Sequence, residues 1–194
     1  DSATSAAALA ITFKDDGPDA AVNGSATAAA AELDETGGLD TATIDAATIS
    51  GLFASPVYGQ DGAAASNAVS YKLSATDGAG TGLFLAGANT SVATNEIKLV
   101  KLSDTQYEGW TNGNTSTGTK AFTLSISSST GEVTVTQHAA LEHTTDGTGA
   151  AHDDSLSLSG SAAISVTQTV TDKDGDTDSA TSAAALAITF KDDG

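Results

Sequence analysis

The sequence predicts an all-β fold, an antiparallel immunoglobulin-like β-sandwich with extra hairpins. Three observations lead to this prediction. Apolar residues alternate with small or polar ones in several short runs, residue pairs ending in glycine separate these runs, and no stretch carries the apolar stripe of a helix. Period-two alternation turns one face of a strand toward a core and the other toward water. Many short strands with regular turns are typical of a sandwich.

Each element follows from this alternation or from turn chemistry. The predicted strands cover Leu9–Phe13, Val69–Leu73, Ile97–Leu102, Phe122–Ile126, Val133–Val135, Val166–Val170 and Leu186–Phe190. The predicted turns lie at Asp61-Gly62, Asp77-Gly78, Asn112-Gly113, Thr130-Gly131, Asp146-Gly147 and Asp174-Gly175. Ala26–Leu33 is rich in alanine but has no apolar stripe, so we expect strand or loop there. The chain exceeds the roughly 100 residues of a plain immunoglobulin-type domain, so extra hairpins are expected between residues 77 and 118.

The first seventeen residues, Asp1 to Gly17, recur letter for letter as Asp178 to Gly194. Chance does not supply such an identity, and self-similarity at a fixed period marks repeat proteins. Because the period is the size of a domain, we expect a tandem array of separate modules. Neighbouring identical repeats in the same chain are then the expected partners.

The module boundary follows from the closing hairpin. Ser161–Thr171 and Thr177–Phe190 read as two strands around a tight turn, and the second strand would end the module. Pro18 sits where a strand does not continue. We therefore assign residues 1–17 to the last strand and linker of a preceding repeat, 18–191 to the module, and 192–194 to the next linker.

Residues 1–13 would then be a strand without its own partner, and an unpaired apolar strand invites edge pairing. We expect this segment to dock on a neighbouring molecule's sheet or to lie against this module's edge. Deleting it should leave the fold intact and lower self-association, and unchanged association in sedimentation would refute the idea.

The charge balance excludes several functions. Asp and Glu number 25 against seven lysines, no arginine is present, and the net charge is −18. Such a surface repels nucleic acid and anionic membranes and lacks the best phosphate ligand. We expect no membrane insertion and no small-molecule substrate. With no cysteine, stability has to come from the core or from a metal.

The turn of the closing hairpin carries four carboxylates within seven residues: Asp172, Asp174, Asp176 and Asp178. The spacing is not that of an EF-hand, because glycine stands at position four and alanine at position twelve. Four carboxylates repel one another, and hard oxygen ligands suit Ca²⁺. Turn preference alone also explains a single Asp-Gly pair, but the density here favours Ca²⁺ as the cofactor.

Topology extends the expected site to the junction between repeats. The closing strand runs toward the C-terminal pole, so its turn lies at the N-terminal pole, where the incoming linker arrives. The expected ligands are Asp15, Asp16, Asp34, Glu35, Asp153, Asp172, Asp174, Asp176, Asp192 and Asp193. An ion shared between linker and turn would stiffen the joint.

A second acidic region spans Glu142 to Asp154 and lies near three histidines, His138, His143 and His152. Histidine and aspartate together are able to bind zinc, but the spacing matches no zinc pattern. A solvated loop, or a further Ca²⁺ site through Asp153, is the preferred interpretation.

The order of several motifs resembles extender repeats of large bacterial adhesins of the RTX type. The motifs are Ile49-Ser-Gly-Leu-Phe, Ala121-Phe-Thr-Leu-Ser, Thr130-Gly-Glu-Val-Thr-Val-Thr-Gln, Ala140-Leu-Glu-His, Asp172-Lys-Asp-Gly-Asp and Phe190-Lys-Asp-Asp-Gly. The resemblance covers most of the period. It implies immunoglobulin-like modules that are secreted by a type I system to the bacterial cell surface. It also implies Ca²⁺ at the junctions, best carried over onto Asp15, Asp16, Asp172, Asp174 and Asp176, and a role as a spacer that projects terminal ligand-binding domains.

Other functions stay open at this point. An enzyme is not expected, because the sequence has no nucleophile elbow, P-loop or dinucleotide fingerprint. Tyr107, Trp110, Asn112 and Asn114 raise the alternative of a carbohydrate- or surface-binding module, although a core role for Trp110 is preferred. Thr-x-Thr steps at 115–119 and 167–171 raise an ice-binding face, but threonine on the wet face of a strand explains them.

Overall fold

The structure is a computed structural model, and it describes residues 1–2, 10–14, 16–143 and 154–192. The described residues form eleven strands, one short α-helix and two 3₁₀ turns. The strands are β1 Ala30–Asp34, β2 Thr41–Ile44, β3 Val69–Ser74, β4 Ile97–Ser103, β5 Gln106–Thr111, β6 Lys120–Ile126, β7 Val133–Gln137, β8 Ser155–Ser157, β9 Ser165–Thr171, β10 Thr177–Thr181 and β11 Ala187–Lys191; the helix is α1 Ala46–Ser50, and the 3₁₀ turns are Ala93–Asn95 and Gly160–Ala162.

The strands form three sheets, which confirms the all-β, sandwich-like prediction. One sheet has five strands in the order β2-β7-β6-β5-β4, and the two others have the orders β10-β9-β3 and β1-β11-β8. The β4–β5 hairpin at 97–111 lies within the region where extra hairpins are expected, and it extends the five-stranded sheet. One named pair departs from the antiparallel expectation, since β1 runs parallel to β11.

The closing hairpin is longer than the sequence indicates, and both of its arms pass from one sheet to another. Near the turn, β10 pairs with β9. Farther along, β11 pairs with β8, so the predicted strand 177–190 is two strands in different sheets. Backbone bonds from Ser182 to Val166 (2.8 Å) and from Leu186 to Ile164 (2.7 Å) keep the arms together between the sheets. The hairpin therefore runs from the acidic turn to Lys191 at its other end.

A single apolar core connects the sheets. The ring of Phe122 on β6 lies 5.6 Å from the ring of Phe190 on β11, measured between centroids. Gly109 faces Phe122, and a Cβ at Gly109 would lie 2.3 Å from that ring, so β5 needs glycine at this position. Alanine fills other tight positions in the core, with Ala121 and Ala162 fully buried. The core is light in aromatic residues, as the composition indicates.

The repeated segment behaves differently at its two positions. Ala10–Lys14 joins no sheet, with Ile11 68% exposed and Phe13 91% exposed. The identical residues of β11 include Ile188 and Phe190, both 0% exposed. Among the described residues, no helix is long and apolar enough to cross a membrane.

Candidate metal site at the closing hairpin turn

The turn between β9 and β10 is built around the side chain of Asp172. Its Oδ1 accepts backbone hydrogen bonds from Gly175 (3.1 Å) and Asp176 (2.8 Å). The backbone N–H of Asp172 donates to the carbonyl of Asp176 at 3.1 Å. Gly175 has a φ of +104°, a conformation that residues with a Cβ rarely adopt. The Asp-x-Asp-Gly-Asp pattern thus folds the turn back on its first carboxylate.

Asp172 is fully buried, with 0% exposure. Its second carboxylate oxygen, Oδ2, has no hydrogen-bond donor within the part of the chain that the structure describes. A buried carboxylate oxygen without a partner is costly, because charged groups are buried only when they are paired or bound to metal. A cation bound to Oδ2 would supply the partner that the described residues do not.

Two further carboxylates come close to that of Asp172. One ligand oxygen each from Asp172, Asp174 and Asp176 lies within 4.8 Å of the others. Two oxygens bound to one Ca²⁺ at about 2.3–2.6 Å are separated by no more than roughly 4.6–5.2 Å. The three oxygens therefore fit one Ca²⁺, with backbone carbonyls or water left to complete its six to eight ligands. An all-carboxylate set also favours a hard cation over zinc or copper.

A loop from another part of the chain holds the turn in place. The carbonyl of Gly62 accepts the N–H of Lys173 at 2.9 Å, and Ala63 forms an antiparallel bridge with Asp172. Three residues earlier, Gly59 lies directly against the backbone of Asp16. A Cβ at Gly59 would be 1.9 Å from the Asp16 carbonyl oxygen, so only glycine allows this contact. The loop thus connects the incoming segment to the acidic turn.

Asp178 attaches the incoming segment to the start of β10. Its Oδ2 accepts the backbone N–H of Ala20 at 2.8 Å. This bond, followed by the N–H of Ser179, holds the pKa of Asp178 below the ordinary aspartate value. Asp19 and Val22 add bridges to Val57 and Phe53. Sequence reasoning placed Asp178 in the acidic run but did not find this anchoring role, which only the backbone of a distant segment reveals.

We expect replacement of Asp178 by alanine to weaken the acid dependence of stability. A carboxylate whose pKa is lowered by folding stabilises the native state above its unfolded pKa, and the contribution is lost as pH falls through the folded pKa, below about pH 4. In the variant, the melting temperature should fall less steeply below that pH, and the amide hydrogen of Ala20 should exchange faster with solvent. Asp1→Ala is the matched control, because Asp1 is the same residue in the other copy. If the melting temperatures of wild type and D178A fall equally below that pH, the anchoring role is contradicted.

The structure separates the other predicted ligands. Asp16 lies at the same end as the turn but outside the carboxylate cluster. Asp34, Glu35 and Asp192 lie at the opposite end of the closing hairpin, because Asp34 pairs with Lys191. Asp15, Asp153 and Asp193 fall outside the described residues.

At that opposite end the carboxylates have structural roles in loops. Asp34 accepts the N–H of Thr36 at 2.8 Å, and its hydrogen bonds with Thr36 are the main reason why its pKa is lowered. Glu35 is 7% exposed, and its Oε1 accepts the N–H of Leu141 at 3.1 Å and the side-chain amide of Gln137. The parallel pairing of β1 with β11 places Asp34 and Glu35 away from the hairpin turn of their own chain.

The path of the chain along the closing hairpin follows from these contacts. The chain enters beside the acidic turn, where Asp16 meets Gly59 and Ala20 meets Asp178. It leaves beside Asp34, after β11 has run the remaining length of the hairpin. Asp16 and Lys191 therefore lie at opposite ends of the closing hairpin.

Among the described residues, no histidine belongs to a cluster of three metal-ligating side chains. His138 Nε2 lies 2.8 Å from Thr123 Oγ1, and burial lowers its pKa, with Lys120 as a second cause. His143 is 9% exposed, and neither ring nitrogen has a hydrogen-bond partner among the described residues. It lines a cavity of about 400 Å³ together with Gly82, Phe84, Thr90, Glu142 and Leu156. His152 lies outside the described residues.

The aromatic residues of β5 lie on opposite faces of their sheet. Tyr107 is 1% exposed and belongs to the core, and its hydroxyl donates to the carbonyl of Ala75 at 3.0 Å. Trp110 alternates to the outer face, where its Nε1–H donates to Glu108 at 2.7 Å and the ammonium of Lys120 lies 5.8 Å from its ring centre. The two rings do not form one platform for a sugar.

Comparison with known proteins matches one family model. It is described as a domain of unknown function, DUF5801, and it covers residues 30–183, from the start of β1 to just beyond β10. No curated protein and no solved structure matches this chain. Because the match spans most of the chain, the protein belongs to the DUF5801 domain family.

Proposed function

We propose that this chain is a spacer module of a large, secreted bacterial surface adhesin, built from tandem copies and stiffened by Ca²⁺. The observation that carries the proposal is the path of the chain, which begins beside the turn of the closing hairpin and ends at the hairpin's other end. Modules joined in this way add length along one direction. The identity of Asp1–Gly17 with Asp178–Gly194 and the resemblance to RTX-type extender repeats support the tandem arrangement.

Calcium is the proposed cofactor, with Asp172, Asp174 and Asp176 as its ligands. Support comes from the buried, unpartnered Oδ2 of Asp172 and from the spacing of the three carboxylate oxygens. The ion would also neutralise part of a net charge of −18, which otherwise opposes a compact state. Because the incoming segment contacts the loop that holds this turn, calcium bound there would restrict the angle between consecutive modules.

The same site accounts for folding after export. Extracellular calcium modules bind with constants of roughly 10⁻⁴–10⁻³ M, so they stay empty in the cytosol and fill outside the cell. Metal binding is then part of the folding free energy, and the chain reaches its stable form only after secretion. Neighbouring identical modules are the proposed partners, and no catalytic activity is proposed.

The test is the shape of a chain with two consecutive modules, measured by small-angle X-ray scattering in calcium and in EDTA. We expect an extended particle with a narrow distribution of lengths in calcium and a broader distribution in EDTA. Substituting Asp172 by asparagine in the second module should give the EDTA result in both buffers. A compact, side-by-side particle would refute the spacer role, whereas an extended particle unaffected by EDTA would refute only the calcium joint.

A further inference from the structure

We propose that Ala10–Lys14 of one molecule can serve as the closing strand β11 of a second copy of this chain. The two segments have the same sequence, Ala-Ile-Thr-Phe-Lys, at 10–14 and at 187–191. In the structure residues 187–191 form strand β11 and are called the seated strand. Residues 10–14 are exposed and are called the free copy. The inference rests on this duplication and on burial, and it does not depend on the calcium site.

A strand in the β11 position has to form a specific set of contacts. The strand lies between β1 and β8, with backbone pairing to both. Its Ile188 and Phe190 side chains are fully buried, and the Phe190 ring packs against Phe122. Lys191 also pairs with Glu32 at 2.9 Å. Residues 10–14 carry every one of these groups in the same order, so they are able to form the same contacts.

The exposed copy carries apolar side chains that binding would bury. Ile11 is 68% exposed and Phe13 is 91% exposed. Burying these two side chains would remove apolar surface from water, which favours binding. An exposed apolar strand segment is also a template for pairing with another chain.

The occupant has to come from another molecule. Asp16 is held against Gly59 at the turn end of the module, whereas Lys191 lies beside Asp34 at the opposite end. If residues 10–14 filled their own molecule's β11 position, Lys14 would lie beside Asp34. The two residues from Lys14 to Asp16 span at most about 7 Å, which does not cover the distance between the ends of the hairpin.

The joint formed in this way has the geometry of consecutive repeats. The donated strand continues through Gly17 and Pro18 into the donor's own module. The acceptor would therefore be followed by the donor in the same order as two modules in one chain. In the unsubstituted chain the molecule's own β11 is favoured, because the hairpin turn holds it at an effective concentration of about 1 mM. Exchange becomes visible when the molecule's own β11 is impaired.

The duplication supplies matched variants of the full chain. Phe190→Asp impairs the seated strand and leaves the free copy intact, Phe13→Asp does the reverse, and the double variant impairs both. We expect the Phe13 variant to be a folded monomer. The Phe190 variant should lose its folded near-ultraviolet circular dichroism when dilute and recover it as concentration rises, with dimers and longer oligomers in sedimentation. The double variant should stay unfolded at every concentration.

A mixing experiment covers the case in which the Phe190 variant aggregates. The labelled double variant accepts a strand but cannot donate one, so wild-type protein should bind it and restore its folded signal. The Phe13→Asp protein should not. If the Phe190 variant and the double variant respond alike to concentration, or if wild type and Phe13→Asp act alike on the labelled acceptor, strand donation is overturned.

Discussion

Replacing Ile188 with alanine is expected to lower the free energy of unfolding by about 2–5 kcal/mol, whereas the same change at Ile11 should alter it by less than about 0.5 kcal/mol. Both isoleucines stand in the same seventeen-residue sequence. Ile188 is fully buried between β1 and β8, so its truncation loses transfer free energy and leaves a cavity. Ile11 is 68% exposed and has little packing to lose.

Denaturant unfolding curves at low protein concentration measure this difference without a contribution from strand exchange. The Ile11→Ala variant is the control, because local sequence, side-chain size and helix or strand propensity are the same at the two positions. Equal losses at both positions would mean that residues 10–14 are packed as well as β11 is. That result would contradict the exposure on which the strand-donation proposal rests.

Calcium is expected to raise the melting temperature by about 3–10 °C relative to EDTA. At about 10 mM calcium and a binding constant of roughly 10⁻⁴–10⁻³ M, ligand binding to the folded state contributes about 1.4–2.7 kcal/mol. A chain of this size gains roughly 2–4 °C per kcal/mol. Differential scanning calorimetry of the same sample in the two buffers measures the shift.

Replacing Asp172 with asparagine should remove this calcium response. The new side-chain amide keeps an oxygen that accepts the N–H groups of Gly175 and Asp176, so the turn retains its two bonds. An NH₂ group then replaces Oδ2, and it does not bind a cation. In EDTA the variant should be at least as stable as wild type, because one of three crowded carboxylates is gone.

The exposed Glu132 in the β6–β7 turn provides the control for charge alone. Glu132→Gln removes one negative charge outside the cluster and should leave the calcium shift unchanged. If calcium still raises the melting temperature of the Asp172 variant, the ion binds somewhere other than this turn. The absence of a shift in wild type would remove the metal from the proposed function altogether.

Period-two alternation predicted the strands that pack on the core. Val69–Leu73, Phe122–Ile126 and Val133–Val135 all lie within observed strands, because alternate apolar residues have to face a common core. The glycines of the predicted turns at 62, 78, 113, 131 and 175 have positive φ angles, as tight turns require. The sixth predicted turn, at Asp146-Gly147, lies outside the described residues.

The missed elements have weak local signals. Strand β2 has four residues, and β5 contains Gly109 and the buried Glu108, so neither shows a clear apolar alternation. Glu108 faces outward but accepts a hydrogen bond from Trp110 and forms an ion pair with Lys120, which a linear pattern cannot show. Helix α1 has five residues and begins at Asp45, whose carboxylate accepts the N–H of Thr48 at 2.8 Å. Strand β2 depends on its pairing with the distant β7, whereas the cap of α1 is local.

In the candidate site, too, some positions follow from local sequence and others depend on strand pairing distant in sequence. The carboxylates of Asp172, Asp174 and Asp176 lie close together because they belong to one short turn. The local sequence is therefore enough to predict their proximity. The position of Asp34 and Glu35 depends on the parallel pairing of β1 with β11, for which their own sequence holds no signal.

The amino-acid sequence by itself determined the strands with clear apolar alternation, their turns and the acidic hairpin, because alternation and turn chemistry act over a few neighbouring residues. Only the tertiary structure decided which of two identical segments is buried, which carboxylates meet and where the chain enters and leaves. Ala10–Lys14 and Ala187–Lys191 have the same local preferences, and one becomes a strand because β1 and β8 offer it backbone partners and a core. Burial depends on neighbours supplied by the rest of the fold, and a segment's own sequence does not contain them.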